Sequence, residues 1–263
     1  MPLCTCCGEA PRAVFLCWLS CCIWLWWIFN SSAEVCKVFY AYRVEGNAAW
    51  FDATEKRHAI DALRHAQGER ISFTDGRGKL YSGQIDAVAK EGFSCSGAEL
   101  IQNSSRPRFH LAMSAVKNHD RIEWMLEKCC EIGLASIVFP VCKRSERSRI
   151  QLERLQRIAV SAIKQSGNLW LPDFHGMKSF HECVELGQTL TGQTFIAHCM
   201  EGEKTRAETM DSDVFVFIGP EGDFTVEEVQ DAITQGYKPL QLGNTRLRTE
   251  TAALAACVLF NVS

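Results

Sequence analysis

From about residue 106 onward the sequence predicts an α/β fold on a mainly parallel sheet, and three observations predict it. Apolar segments of strand length (109–116, 137–141, 194–198, 214–218) alternate with segments of helical period, the order that βαβ units leave along a chain. Two glycine-bearing turns, Gly219-Pro220-Glu221-Gly222 and the turn at Gly243, each leave the end of a predicted strand, the place where open parallel sheets hold ligands. Of the 263 residues, 47% are hydrophobic and 22% charged, a composition that fills a core and excludes wholesale disorder. The net charge of −3 argues against a protein coated in basic residues, so any nucleic-acid contact must come from a local patch.

Residues 1–37 stand apart. Residues 13–29 carry no charge and hold four of the seven tryptophans, a length at the lower limit of a membrane span and the upper limit of a signal-peptide core. Arg12 before it and Ser31, Ser32 and Ala33 after it suit the second. The rest of the chain does not suit export, so residues 1–37 are expected to be an upstream start with no role in the fold. A membrane anchor or another targeting segment are the alternatives. Seven of the fourteen cysteines lie in the first 36 residues and the others are scattered, which suits reduced cytoplasmic core cysteine. Cys4 and Cys7 have metal-ligand spacing without a second pair, so no metal is expected.

Between residues 38 and 98 the texture is short strands and turns. Asp75-Gly76-Arg77-Gly78 separates two alternating runs, 70–73 and 80–85, as a hairpin turn does. A helix is expected over 54–66, with Ala59, Leu63 and Ala66 on one face. Strands with one helix in sixty residues predict a small β-barrel. Residues 103–107 are a linker. A helix over 120–132 places Ile122, Met125, Cys129 and Ile132 together and stops at Gly133. Another over 152–165 buries Leu152, Leu155, Ala159 and Ala162. Residues 168–193 are less legible.

Gly219 and Gly222 allow backbone to approach a ligand closely. Thr225, with Glu228 three residues on, forms a capping box for the next helix, and Gly236 closes it. A glycine-rich turn before a helix suggests phosphate, but Glu221 and Asp223 would repel it. They are tolerable beside a cationic sulfonium, which favours S-adenosylmethionine over a nucleoside triphosphate. Taken alone, GPEG is equally an ordinary tight turn. The segment LQLGNTRLRTE supplies Gly243, Arg246 and Arg248, and the last helix, 251–259, is rich in alanine. Lys143, Arg144, Arg147 and Arg149 put four positive charges into seven residues, continued by Arg154, Arg157 and Lys164. In an acidic protein such a cluster beside a ligand site points to RNA phosphate.

Five motifs then occur in one order: KNHDRIEWMLEKCCEIG, SERS, KQSG, IGPEGDF and LRTETAAL. They resemble the SPOUT methyltransferases, specifically those that methylate N3 of a uridine in the decoding region of 16S ribosomal RNA. The resemblance runs from about residue 38 to 260. It implies a PUA-like RNA-binding β-barrel over 38–105 and a SPOUT domain over 106–263 with a trefoil knot. It implies S-adenosylmethionine as cofactor, held by Ala197, His198, Cys199, Ile218, Gly219, Pro220, Glu221, Gly222, Leu240, Gln241, Leu242, Gly243, Leu247 and Arg248. Arg248 is the expected electrostatic catalyst, with Glu250 orienting it or taking the uracil proton. Arg64, Lys143, Arg144, Arg147 and Arg149 are the expected RNA contacts, with His58 and Arg77 as further candidates. A homodimer, 16S RNA or the small subunit as partner, and a cytoplasmic location complete the expectation. Two positions depart from the family: Asp223 stands where glycine is frequent, and Asn168 where arginine is common. A non-catalytic RNA-binding assembly factor and a SPOUT enzyme acting on transfer RNA are the alternatives.

Overall fold

A computed structural model of the chain describes residues 37–145, 149–189, 192–206 and 211–261. The expectations for residues 1–36 and for Arg147 lie outside the described residues. Val38–Ser263 form one compact unit, and among the described residues no helix is long and apolar enough to cross a membrane.

The first part is a six-stranded mixed sheet curled round its own core. Its strands are β1 (Val38–Tyr40), β2 (Arg43–Glu45), β3 (Ala48–Asp52), β4 (Arg70–Thr74), β5 (Lys79–Ala89) and β6 (Gly92–Asn103), in the order β1-β4-β5-β6-β3-β2. Only β1–β4 is parallel. Alternation sends Phe39, Phe51, Phe73, Ile85 and Phe93 inward, and Phe51 stacks on Phe93 with centroids 4.3 Å apart. Gly92 is required here, because a Cβ would sit 2.0 Å from the Phe51 carbonyl oxygen. The predicted hairpin forms, with Thr74 opposite Leu80. The predicted helix is shorter: α1 (Ala53–Lys56), capped by Asp52 Oδ1, widens into a π-helical turn over Arg57–Ala62. The chain leaves it through Arg64, at φ +61°.

The second part is a seven-stranded sheet whose pairings are all parallel. Its elements are β7 (Phe109–Met113), α2 (His119–Ile132), β8 (Leu134–Val141), α3 (Leu152–Ser166), β9 (Asp173–Ser179), α4 (Phe180–Gln188), β10 (Gln193–Ala197), β11 (Thr205–Arg206), β12 (Val214–Ile218), α5 (Val226–Thr234), β13 (Lys238–Gln241) and α6 (Thr249–Asn261). The strand order is β11-β13-β10-β12-β7-β8-β9. Strands β7 and β12 are buried along their whole length, as expected of strands covered by helices on both faces. Helix α2 buries Ile122, Met125, Leu126, Cys129 and Cys130 and ends at Gly133. Strand β9 and helix α4 were not legible in the sequence. The first is a polar edge strand with little alternation in burial, and its Gly176 sits at φ +72°.

The two sheets are tied together. Lys164 Nζ on α3 meets Glu55 Oε1 on α1 at 2.5 Å, both side chains largely shielded. Arg77 Nη1 pairs with Asp173 Oδ1 at 2.9 Å, and the Trp170 indole donates to the Ser104 carbonyl at 3.1 Å. Asn168 is held in this seam, donating to the Cys130 carbonyl at 2.8 Å and accepting from the Trp170 amide at 3.1 Å.

Candidate active site

Strand order explains why distant segments meet. The chain runs outward from β7 through β8 to β9, then re-enters on the other side at β10, leaving a slot that β12 fills and an outer flank that β13 takes. Because β13, β10 and β12 are parallel neighbours, the loops leaving their carboxyl ends emerge side by side. This is the switch-point geometry at which open α/β sheets form ligand crevices. Here it encloses a cavity of about 840 Å³, within the usual range for small-molecule sites. Its walls are residues after β10 (Ala197 to Lys204), the turn after β12 (Ile218 to Asp223), the segment from Leu240 to Ala252, and Arg121 from the first turn of α2.

Thirteen of the fourteen residues expected to hold a cofactor line this cavity, and so does Glu250. The exception is Gly222, which faces Arg144 instead, a Cβ there lying 3.4 Å from Arg144 Cβ. Thr249 Oγ1 donates to the Gly219 carbonyl at 3.1 Å, and Arg246 Nη2 to the Glu221 carbonyl at 3.4 Å. These bonds hold the segment after β13 against the turn after β12. The Glu221 carboxylate accepts from the Lys117 amide at 3.2 Å, which links that turn to the loop after β7.

Asp223 adopts φ +62°, a left-handed conformation that glycine takes freely and a Cβ disfavours. Its side chain supplies the compensation: Oδ2 accepts from the Cys199 amide and Oδ1 from the Phe224 amide, both at 2.8 Å. The departure from glycine therefore keeps the turn and adds a bond to the neighbouring loop. The capping box forms as the sequence implies, with Thr225 Oγ1 accepting from the Glu228 amide at 3.3 Å and Glu228 Oε2 from the Thr225 amide at 2.8 Å.

Charges on the cavity wall balance, with Glu201, Glu221, Asp223 and Glu250 against Arg121, Lys204, Arg246 and Arg248. Glu250 is buried and pairs with Arg121 Nη1 at 3.3 Å. Arg248 is exposed at the cavity, and its side chain has no hydrogen-bond or ion-pair partner among the described residues. His198 is the outstanding polar group of the wall. Both ring nitrogens are buried with no partner among the described residues. Burial first, and then the nearby Lys204 ammonium, push its pKa below the usual histidine value, against a smaller opposing effect of Asp223. Arg121 was missed in the sequence, although it stands inside the first of the five motifs. Helical periodicity showed which face of α2 packs, not what lies beside its first turn.

The expected RNA contacts divide. Arg149 and Arg64 are exposed. Lys143 and Arg144 are exposed as well but are stitched to the cavity's outer wall. The Lys143 amide donates to Glu228 Oε1 at 2.7 Å and its ammonium lies 3.6 Å from Glu227 Oε2. Arg144 Nη1 donates to the carbonyls of Gly222 at 2.9 Å and Phe224 at 3.3 Å. Lys164, read in the sequence as part of the same cluster, is instead committed to Glu55. Arg77 is committed to Asp173.

Fold and cavity together define an α/β protein with a cavity of small-molecule size at the carboxyl edge of its parallel sheet. The sequence pattern of the RNA methyltransferase domain matches residues 103–261, and the chain belongs to that family. A ribosomal RNA small subunit methyltransferase E from Synechocystis sp. is 27% identical over 208 residues, covering 76% of this chain and 68% of the relative. The crystal structure of a probable rRNA-methyltransferase from Porphyromonas gingivalis is 37% identical with a TM-score of 0.73, covering 84% of this chain and 95% of that one. A ribosomal RNA small subunit methyltransferase E from Neisseria gonorrhoeae, bound to S-adenosyl methionine, is 26% identical with a TM-score of 0.68, again covering 84% and 95%.

Proposed function

We propose that this protein is an S-adenosylmethionine-dependent methyltransferase acting on N3 of a uridine in 16S RNA of the small ribosomal subunit. The observation that carries the proposal is the meeting of three strand-end loops round one cavity that holds unsatisfied imidazole nitrogens and an unpaired arginine. The residues suit the cofactor. A wall of balanced charge fits a ligand carrying carboxylate, ammonium and sulfonium groups, and Gly243 leaves open space beside its backbone. The cavity residues after β10, β12 and β13 would hold S-adenosylmethionine, which when bound supplies a methyl carbon activated by a positively charged sulfur.

The chain's own residues address the harder problem, since uracil N3 is a poor nucleophile until its proton leaves. The negative charge left behind spreads onto the flanking carbonyl oxygens. Arg248, free to turn to a substrate, stabilises that charge and so lowers the barrier to deprotonation and transfer. Glu250, buried two residues further along the chain, pairs with the half-exposed Arg121. In this reading Glu250 orients the site or receives the N3 proton. The remaining task is alignment of nucleophile, carbon and leaving sulfur, which rigid loops on a sheet edge serve.

The finer architecture follows the same reading. The curled sheet is a PUA-like RNA-binding module ending near residue 105. The segment from β13 into α6, bonded to the β12 turn through Thr249 and Arg246, is the tucked strand of a trefoil knot. Trp124 on α2 and Val258 and Leu259 on α6 are part-exposed apolar side chains that suit a homodimer face. Arg64, Lys143, Arg144, Arg147 and Arg149 supply phosphate contacts, and the enzyme works in the cytoplasm.

The test is incubation with labelled S-adenosylmethionine and small ribosomal subunits lacking the mark, followed by mass spectrometry of RNA fragments. The expected result is one N3-methyluridine in 16S RNA. Label on another base, or on transfer RNA alone, would refute it.

A further inference from the structure

Two histidines have buried ring nitrogens left unsatisfied by the described residues, and of the two only His198 lines the cavity. His110 Nε2 is enclosed in the core, whereas His198 lines the large cavity with both nitrogens unpartnered. A buried polar group without a partner is destabilising unless a ligand or water completes it. The imidazole is also the one side chain here that changes charge near neutral pH, so its state alters the field in a cavity otherwise balanced.

The charged groups around it are fixed by the three loops. Lys204, whose ammonium donates to the His198 carbonyl at 2.8 Å, and Glu201 belong to its own loop. Glu221 and Asp223 belong to the β12 turn, and Arg246 and Arg248 to the segment after β13. Cations and anions are equal in number among these six only while Lys204 and the two arginines face Glu201, Glu221 and Asp223. A proton on His198 tips the wall to net positive.

We propose that His198 sets the cavity's preference between the cationic methyl donor and its neutral thioether product, admitting the sulfonium as neutral imidazole and disfavouring it as imidazolium. This rests on the reading that the cavity takes S-adenosylmethionine. Donor and product share the nucleoside and amino-acid parts and differ in a methyl group and one positive charge. Protonation of the wall therefore penalises the donor more than S-adenosylhomocysteine. Burial and Lys204 keep the ring neutral at neutral pH, so the discrimination is retained there and lost on acidification.

Calorimetric titration of both ligands from pH 8 to pH 5, on the full chain and on His198→Phe, tests this. S-adenosylmethionine should lose roughly tenfold in affinity relative to S-adenosylhomocysteine across that range, the size expected of one charge several ångströms away in a partly screened site. The ratio should stay flat in His198→Phe. A flat ratio in the unmodified chain, or the same trend in the variant, overturns the proposal. Should the variant fail to fold, imidazole resonances of the unmodified chain decide. A His198 ring whose titration moves to lower pH with S-adenosylmethionine than with S-adenosylhomocysteine supports it, and a ring that titrates alike with both overturns it. Failure of either ligand to bind at pH 8 would sink the cofactor reading itself, a result distinct from a flat ratio.

Discussion

The two edges of the parallel sheet treat histidine in opposite ways. At the amino edge, His110 on β7 is 1% exposed, with Nδ1 2.7 Å from Ser136 Oγ and Nε2 3.9 Å from Asp213 Oδ1. Burial first, and then Arg106, push its pKa down to about 4. At the carboxyl edge, His198 is also held neutral by burial, but it faces a cavity. The amino edge resembles a serine–histidine–aspartate arrangement in composition, yet its serine is buried and His110 does not line the cavity at the carboxyl edge. Depressed basicity alone therefore does not mark a working site. Open space beside unsatisfied polar atoms does, and of these two edges the carboxyl one combines them among the described residues.

The largest effect that separates the edges is expected at Arg248. Arg248→Ala should lower the methylation rate by about 10²- to 10³-fold, the usual loss on removing one donor to a developing oxyanion. S-adenosylmethionine should still bind by calorimetry, since Arg248 is one of many residues round the cavity, and the thermal midpoint should barely change. Full turnover in this variant would remove Arg248 from the chemistry and leave the carboxyl edge with a binding role only.

The amino edge should answer the other way, in stability rather than rate. A histidine whose folded pKa is near 4 against an unfolded value of 6.5 binds its proton less readily when folded. Its contribution is present above about pH 6.5 and is lost progressively as the pH falls toward 4. The shift corresponds to roughly 3 kcal/mol at most. Urea unfolding at pH 7.5, 6 and 5 should show this decline, and His110→Gln should flatten it while leaving methylation at pH 8 within about twofold. A decline of equal slope in His110→Gln would assign the acid sensitivity to other groups, His198 among them.

Local chemistry explains what was legible beforehand. The GPEG turn and the Thr225–Glu228 capping box depend on neighbours a few residues away, and sequence spacing displays such neighbours directly, whereas Ala197, His198 and Cys199 were placed at the cofactor by the family resemblance alone. Arg121 and Glu250 meet only because α2 and α6 pack together across the fold, so no spacing announces their pairing. Lys164 looked like the end of a basic run, but its partner Glu55 lies 109 positions earlier, on α1. Strand β9 was invisible because an edge strand needs no apolar alternation. Asp223 was noticed as a departure from glycine, and the cost of its left-handed backbone could be settled only once Cys199 and Phe224 were seen to donate to it.

The smallest effect concerns the border between the carboxyl edge and the basic loop. Arg144 was expected to meet RNA as a free charge, but its guanidinium already grips the Gly222 and Phe224 carbonyls that shape the β12 turn. A fork that donates to the turn on one side and to phosphate on the other gives one residue two duties. Lysine preserves the charge for phosphate but not the planar fork. Arg144→Lys should therefore weaken S-adenosylmethionine binding about fivefold, near 1 kcal/mol for charge-assisted bonds at an exposed position, with RNA affinity nearly unchanged. Arg144→Ala should weaken both, and only its RNA term should fade as salt is raised. Equal loss of RNA affinity in the two variants, with cofactor binding intact, would return Arg144 to the role of a simple phosphate contact and leave the turn to be held by Glu221 and Asp223.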